Sequence, residues 1–201
     1  MCYIYYVVTG EAYDKTARLL GLPIGGGGGP AMEQLAKGGD PKAISLPIPL
    51  QKRKTGYDFS YAGLKTAVRT ATEKLEVPVS EQDRADIAAS FQYVAITHLE
   101  QRLERCMLDF PDLSTLAVVG GVAANQELRT RLSNLCAKHN WMMVVPPPKY
   151  CTDQGTMSAW AAIERINVGS TDDPHTQEVY ARYPFQSYNT HDDDDNDMNQ
   201  S

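Results

Sequence analysis

A largely parallel α/β sheet covered by helices is the fold the sequence predicts, and three observations carry that expectation. A short apolar strand over Thr115–Val119 runs into Gly120-Gly121, a helix, a second strand over Trp141–Val145 and a last helix. That alternation is the order of a parallel unit with a helical crossover. Upstream, apolar residues recur at helical spacing through the longest helix, from Ser80 to about Leu108. No stretch approaches the roughly eighteen uninterrupted apolar residues a helix needs to cross a bilayer, so the 201 residues read as a globular chain with no membrane span.

Each element follows from its punctuation. Residues 1–8, Met-Cys-Tyr-Ile-Tyr-Tyr-Val-Val, form a β-prone run. It reads either as a buried or edge strand or as the start of a chain that begins midway through a longer protein. It has no basic region and no small-residue cleavage site, so signal and transit peptides fit poorly. The first helix is expected from about Thr9, as its N-cap, to Leu20, with Gly21 and Pro23 stopping it. Gly25 to Gly29 make a loop, and Pro30 suits the first turn of a short helix carrying Met32, Glu33 and Leu35. Ile44 to Leu50 alternates apolar residues with Pro47 and Pro49; prolines lack the ladder N–H, so extended edge structure is expected there.

A turn at Gly56–Asp58 and a helix from about Tyr61 to Glu73 come next, and Ser80 with Asp83 resembles a capping box that opens the long helix. Leu128, Leu132 and Leu135 mark the helix after the glycines, Pro146-Pro147-Pro148 halt the second strand, and the final helix is expected from about Asp153 to Val168, before Gly169.

The formal charge of −6 is mostly a tail. Five of the 25 acidic residues lie in 186–201, a segment without Lys or Arg; the other 20 nearly balance 19 basic residues. A run of Asp and Asn without apolar partners cannot offset its ordering entropy, so the tail is expected to be disordered. The near-neutral body leaves a nucleic-acid partner open, and the basic candidates are Lys52, Arg53, Lys54, Lys65 and Arg69, which otherwise form a solvated face. Cys2, Cys106, Cys136 and Cys151 are widely spaced, which argues against a disulfide framework or a cysteine zinc site. His98, His139, His175 and His191 include no pair at helical i+3 or i+4 spacing, so a two-histidine helical metal site is not expected.

Several residues carry two readings. Gly120-Gly121 after a strand either lets a ligand approach the backbone or makes a tight turn, with Asn125 as helix cap. Gly25–Pro30 is either a flexible connector or a surface that closes over a sugar or nucleotide. Asp14 sits four residues before Arg18, just as Glu11 precedes Lys15, so it reads as half of an exposed ion pair. Glu33 reads as a solvated helix residue, and Asp153 as an acid suiting a helix start.

Taken in order, these pieces resemble the tRNA threonylcarbamoyladenosine synthase family, the TsaD-type proteins also labelled glycoproteases or O-sialoglycoprotein endopeptidases. The resemblance rests on Gly10-Glu-Ala-Tyr-Asp-Lys15 with Ala17-Arg-Leu-Leu-Gly21, Gly28-Gly-Pro30 with Glu33-Gln-Leu-Ala36, and Asp58-Phe-Ser-Tyr-Ala-Gly-Leu-Lys-Thr66. It continues through Asp86-Ile-Ala-Ala-Ser-Phe-Gln92, Gly120-Gly-Val-Ala-Ala-Asn125 with Leu128-Arg129, Pro146-Pro-Pro148 and Cys151-Thr-Asp153 with Gly155 and Met157. It spans roughly 9–185, with 1–8 atypical and 186–201 the tail.

The resemblance implies the carboxy-terminal lobe of the actin/Hsp70/sugar-kinase ATPase fold. It implies transfer of a threonylcarbamoyl group from threonylcarbamoyl-AMP to N6 of the adenosine 3′ of the anticodon, in tRNAs reading codons that start with A. By position, Asp14, Gly29, Glu33 and Asn125 are implied to hold the adenylate, and Asp153 to be the carboxylate ligand of one divalent metal ion, iron or zinc; no residue is assigned a catalytic role. Partners implied are tRNA, the adenylate, and a homodimer or family partner proteins. The five-glycine loop resembles the mitochondrial branch, with the cytoplasm as the other location.

The departures are as informative. The family's His-x-x-x-His metal motif is absent from this sequence, and Gln154 and Thr156 stand where Asn and Ala are usual. The expectation is therefore the carboxy-terminal half of a threonylcarbamoyl transferase or, as the alternative, a non-catalytic isoform or paralogue that binds a family partner or tRNA. Nothing supports a peptidase: there is no Ser–His–Asp set, Cys–His pair or zincin motif.

Overall fold

The computed structural model describes residues 7–25, 27–53, 55–75 and 79–170. In order, the elements are α1 (Val7–Leu19), α2 (Gly28–Ala36), α3 (Ala62–Glu73), α4 (Glu81–Asp109), β1 (Thr115–Ala117), α5 (Gln126–Lys138), β2 (Met142–Val144) and α6 (Gly155–Asn167). The chain divides into two compact units, Met1–Gln154 and Gly155–Ser201. Most of the first is helical, with a small parallel sheet, so its architecture is α/β.

α4 is the spine of the first unit. Ser80 caps it, its side chain accepting from the Asp83 N–H at 3.0 Å, as a capping box requires. Ile87, Phe91, Ile96 and Leu99 are buried along it. α2, α3 and α5 all pack on it, and α1 packs on α2 and α3. At the centre Tyr13 of α1 meets Phe91 of α4 edge to face, ring centroids 5.0 Å apart. The α2–α4 approach is close: a Cβ on Gly39, just past α2, would lie 2.1 Å from the Ala85 carbonyl oxygen.

The sheet is two parallel strands, pairing Thr115 with Met142, Leu116 with Met143 and Ala117 with Val144. Leu116 and Met143 pack against the core while their neighbours in the strands are exposed. α5 supplies the crossover and buries Leu128, Leu132 and Leu135, the predicted apolar stripe. Both strands are shorter than the apolar runs that announced them: pairing lasts only while both chains run straight, and Gly120 at φ 89° turns the first away.

Three expectations are corrected. Thr9 is not a cap, because α1 begins at Val7 and Val7-Val8 continue the helix instead of a strand; residues 1–6 lie outside the described residues. Gly28 and Gly29 are the first turn of α2 and not loop, since φ turns positive only up to Gly27, at 99°. A 3-10 turn over Gly121–Ala124 leads from the diglycine to Asn125, which caps α5 as the turn-and-cap reading expects. Ile44–Leu50 joins no strand among the described residues; it is pinned instead by side chains of α4. Ser90 Oγ accepts from the Ile44 N–H at 3.1 Å, and buried Arg102 donates to the Leu50 carbonyl at 2.7 Å.

In the second unit, α6 starts at Gly155, two residues past the expected Asp153, and closes at Gly169 with φ 72°. The expected tail, 186–201, lies outside the described residues.

Candidate nucleotide site

One cavity of about 350 Å³ opens where the α1–α2 pair meets the turn after β1, and Tyr13, Asp14, Gly29, Glu33, Gly120 and Asn125 are among its walls. The four residues singled out for an adenylate thus come together from three separate stretches of sequence. Thr152 also lines this cavity, whereas Asp153 beside it is exposed and is not part of the wall.

Asp14 is half-buried on α1, and its Oδ1 accepts from the Gly28 N–H at 2.6 Å. This contact stands where a pairing with Arg18 was expected: Asp14 secures the start of α2, and of the two expected i,i+4 pairs only Glu11–Lys15 forms among the described residues. A Cβ on Gly28 would stand 2.6 Å from the Ala17 Cβ, so glycine is what lets the helices touch there. A Cβ on Gly29 would meet nothing within 4 Å and would project into open space. Its bareness leaves room in the cavity without relieving any clash.

Glu33 is not simply solvated. Its Oε1 accepts from the Gln126 backbone N–H at 2.9 Å, tying α2 to the first turn of α5, where an acid also suits the helix dipole. Asn125 fulfils the cap reading and lines the cavity at once: its Oδ1 accepts from the Leu128 N–H at 2.8 Å, and its Nδ2 donates to Gln92 Oε1 at 2.9 Å. Burial pushes the Tyr13 phenol far above its ordinary value of 10.0, with Tyr61 and Glu33 adding to the shift, so it is a neutral hydroxyl at the cavity wall.

Two residues that carry the site had no assigned role in the sequence. Arg129 donates through Nε to the Ala123 carbonyl at 2.5 Å and through Nη2 to the Pro146 carbonyl at 2.8 Å. It thereby clamps the diglycine turn to the segment that leads to Thr152 and Asp153. Gln92 is the buried partner of Asn125. Their only sequence signal was membership of the Leu128-Arg129 and Asp86–Gln92 motifs.

Other expectations meet the geometry less directly. Of the basic candidates, Arg53 is paired with Asp58 at 2.7 Å and Arg69 with Glu73 at 3.2 Å. Lys52 is exposed, Lys65 half-buried, and Lys54 lies outside the described residues. No three His, Cys, Asp or Glu side chains converge to hold a metal ion among the described residues. Asp153 alone is one ligand where a resident divalent ion ordinarily needs three or more protein donors, so the described residues do not fit that ion.

A glycine-lined cavity with two carboxylates and an amide in its wall, beside the strand-to-helix turn of a small parallel sheet, is thus the candidate site of an α/β protein. The comparisons with known proteins make this specific. Residues 5–160 match the family model for TsaD, tRNA N6-adenosine threonylcarbamoyltransferase. The chain belongs to the TsaD family.

A curated relative from Brucella anthropi, named tRNA N6-adenosine threonylcarbamoyltransferase, is 52% identical over 170 residues, covering 81% of this chain and 46% of its own. That of Brucella ovis, under the same name, is 51% identical over the same span and coverage. One from Arabidopsis thaliana, named as a mitochondrial member, is 46% identical over 179 residues, covering 82% of this chain and 37% of its own. The chain spans about half the length of the curated relatives it matches, or less.

Proposed function

We propose that this chain is the adenylate-holding carboxy-terminal lobe, of actin/Hsp70/sugar-kinase type, of a tRNA N6-adenosine threonylcarbamoyltransferase. The observation that carries the reading is the meeting of Asp14, Gly29, Glu33 and Asn125 in one cavity of about 350 Å³. The ligand is threonylcarbamoyl-AMP. Carboxylates at Asp14 and Glu33 suit ribose hydroxyls, the bare backbone at Gly29 and Gly120 admits base and phosphate, and the Asn125 amide supplies a donor. The contribution of these residues to transfer is to bind and orient the adenylate, so that N6 of the tRNA adenosine meets the carbamoyl carbon as AMP departs. The tRNA is recognised in part by the basic surface around Lys52, and a mitochondrial location is supported by the name of the Arabidopsis thaliana relative.

Calorimetry with AMP on the full 201-residue chain tests the reading. Binding that is lost in Asp14→Ala and Glu33→Ala, with both variants still folded by circular dichroism, supports it; no binding by the parent chain removes it.

The second reading, a non-catalytic member that binds adenylate, tRNA or a partner protein, is favoured by one observation. Asp153, the carboxylate the resemblance assigns to the metal, lies next to the cavity-lining Thr152, and the described residues assemble no three-ligand group. A reconstituted transfer assay separates the two readings: the expected outcome is no modified tRNA from this chain alone, and measurable product overturns the non-catalytic reading.

A further inference from the structure

We propose that Gln92 is a positioning residue for the nucleotide cavity, acting through Asn125 to fix which edge of that amide the ligand meets. The inference rests on the adenylate reading above and names a residue that neither the sequence motif nor the family match assigns a role.

The geometry leaves little freedom. The Leu128 N–H belongs to the first turn of α5 and can be accepted only by an oxygen, so Asn125 Oδ1 must face it, at 2.8 Å. The Asn125 amino group is thereby turned toward α4, where Gln92 Oε1 accepts one of its hydrogens at 2.9 Å. A flipped Gln92 would set two amino groups face to face, so the orientation of each amide enforces that of the other. Both side chains are more than nine-tenths buried, and Gln92 follows the fully buried Phe91 on the helix spine, so each amide has the other as its side-chain partner.

Once the cap and the Gln92 bond are made, Asn125 keeps one N–H for the cavity. Its ligand must therefore offer an acceptor, such as a purine ring nitrogen or a ribose or phosphate oxygen. Gln92 itself lines a separate adjoining cavity of about 300 Å³ and is not in the nucleotide cavity wall, so it touches no ligand there. The cap bond alone would hold the amide at one end and leave its free N–H to swing.

The test compares Gln92→Met, which keeps length and loses the acceptor, with Gln92→Glu, which keeps an oxygen in place. On the full chain, the side-chain amide of Asn125 is followed by nitrogen–proton correlation spectroscopy, and AMP affinity by calorimetry. The expected result is one exchange-protected Asn125 side-chain proton in the parent and in Gln92→Glu, unprotected in Gln92→Met. AMP affinity is expected to fall about tenfold in Gln92→Met, as for loss of a supporting hydrogen bond, and to recover in Gln92→Glu.

In an Asn125→Ser background, where serine keeps the cap and removes the amide, Gln92→Met should change AMP affinity less than twofold. An equal loss in both backgrounds, or unchanged protection in Gln92→Met, overturns the proposal. Should the parent chain bind no AMP, the adenylate reading fails, and the protection of the Asn125 proton alone decides the positioning role.

Discussion

The carboxylate of Asp14 accepts the Gly28 N–H at 2.6 Å, and this single bond sets the distance between α1 and the start of α2 at the mouth of the cavity. The approach is possible because Gly28 has no side chain where Ala17 Cβ and the Asp14 backbone already stand. A cavity-wall residue and a helix-packing residue are thus one structural unit.

Gly28→Ala is expected to destabilise the fold by about 1–3 kcal/mol, because the added Cβ would sit 2.6 Å from the Ala17 Cβ and 3.0 Å from the Asp14 Cα, a backbone atom. Gly29→Ala, with nothing within 4 Å, should leave stability unchanged or raise it by up to about 1 kcal/mol through helix propensity. Urea denaturation of the two variants checks the contrast, and an equal loss in both would refute it. Adding Ala17→Gly to Gly28→Ala should recover part of the loss.

Glu33 offers a similar separation. Glu33→Gln keeps an oxygen for the Gln126 N–H and should stay within about 0.5 kcal/mol of the parent, while Glu33→Ala should lose about 1 kcal/mol as α2 and α5 come untied. Thermal melts report this directly, and comparable losses in the two variants would count against the tie.

Arg102 fastens the proline-containing segment to α4. It is 2% exposed and its Nη2 meets the Leu50 carbonyl at 2.7 Å. Arg102→Met should cost about 2 kcal/mol and open residues 44–58 to protease first, since a charged hydrogen bond is lost where no sheet ladder replaces it. Limited proteolysis followed by mass spectrometry locates the first cut; cleavage starting elsewhere would show that the segment is held by other means.

Acid should weaken the fold through His98. Its ring is fully buried between Phe59 and Tyr61, and burial, with the Arg102 charge nearby, holds its pKa down at about 4, against an ordinary 6.5. In that interval the unfolded chain binds a proton that the folded chain does not, so stability falls as pH drops from about 6.5 to about 4. Hydrogen bonds from Lys138 and His139 hold Glu104 below its ordinary 4.5, so its stabilising contribution is lost only further into acid. Stability measured against pH in the parent and in His98→Gln should show the upper slope flatten in the variant; identical slopes would assign the loss to other groups.

Much of the fold is legible in the sequence. α3 and α4 fall within a few residues of their predicted bounds, and α5 carries its expected leucines and cap, because Ser80, Asn125 and the apolar spacing mark them locally. Local marks misled where a longer contact governs. Ile44–Leu50 looks like an edge strand by alternation, yet Arg102 and Ser90, some fifty residues away in sequence, hold it as irregular chain. Asp14 looked like a partner for Arg18, four residues on, and instead serves Gly28, fourteen residues on.

The residues that proved structurally decisive for the site divide the same way. Asp14, Gly29, Glu33 and Asn125 could be named from motifs alone. Gln92 and Arg129 lay inside motifs but had no role until their partners, at 125, 123 and 146, were brought beside them.

By itself the sequence determined the helices, the parallel pairing of the two strands, the family and the identities of the cavity residues, because all of these depend on local periodicity, capping chemistry and motif order. Tertiary structure alone decided that those residues share one cavity, that Asn125 is held from both sides, and that the described residues assemble no group of three metal-type ligands. The physical reason is reach. A cap or a glycine turn acts over a few residues of chain, whereas a buried hydrogen bond between α4 and α5 exists only after the helices have packed.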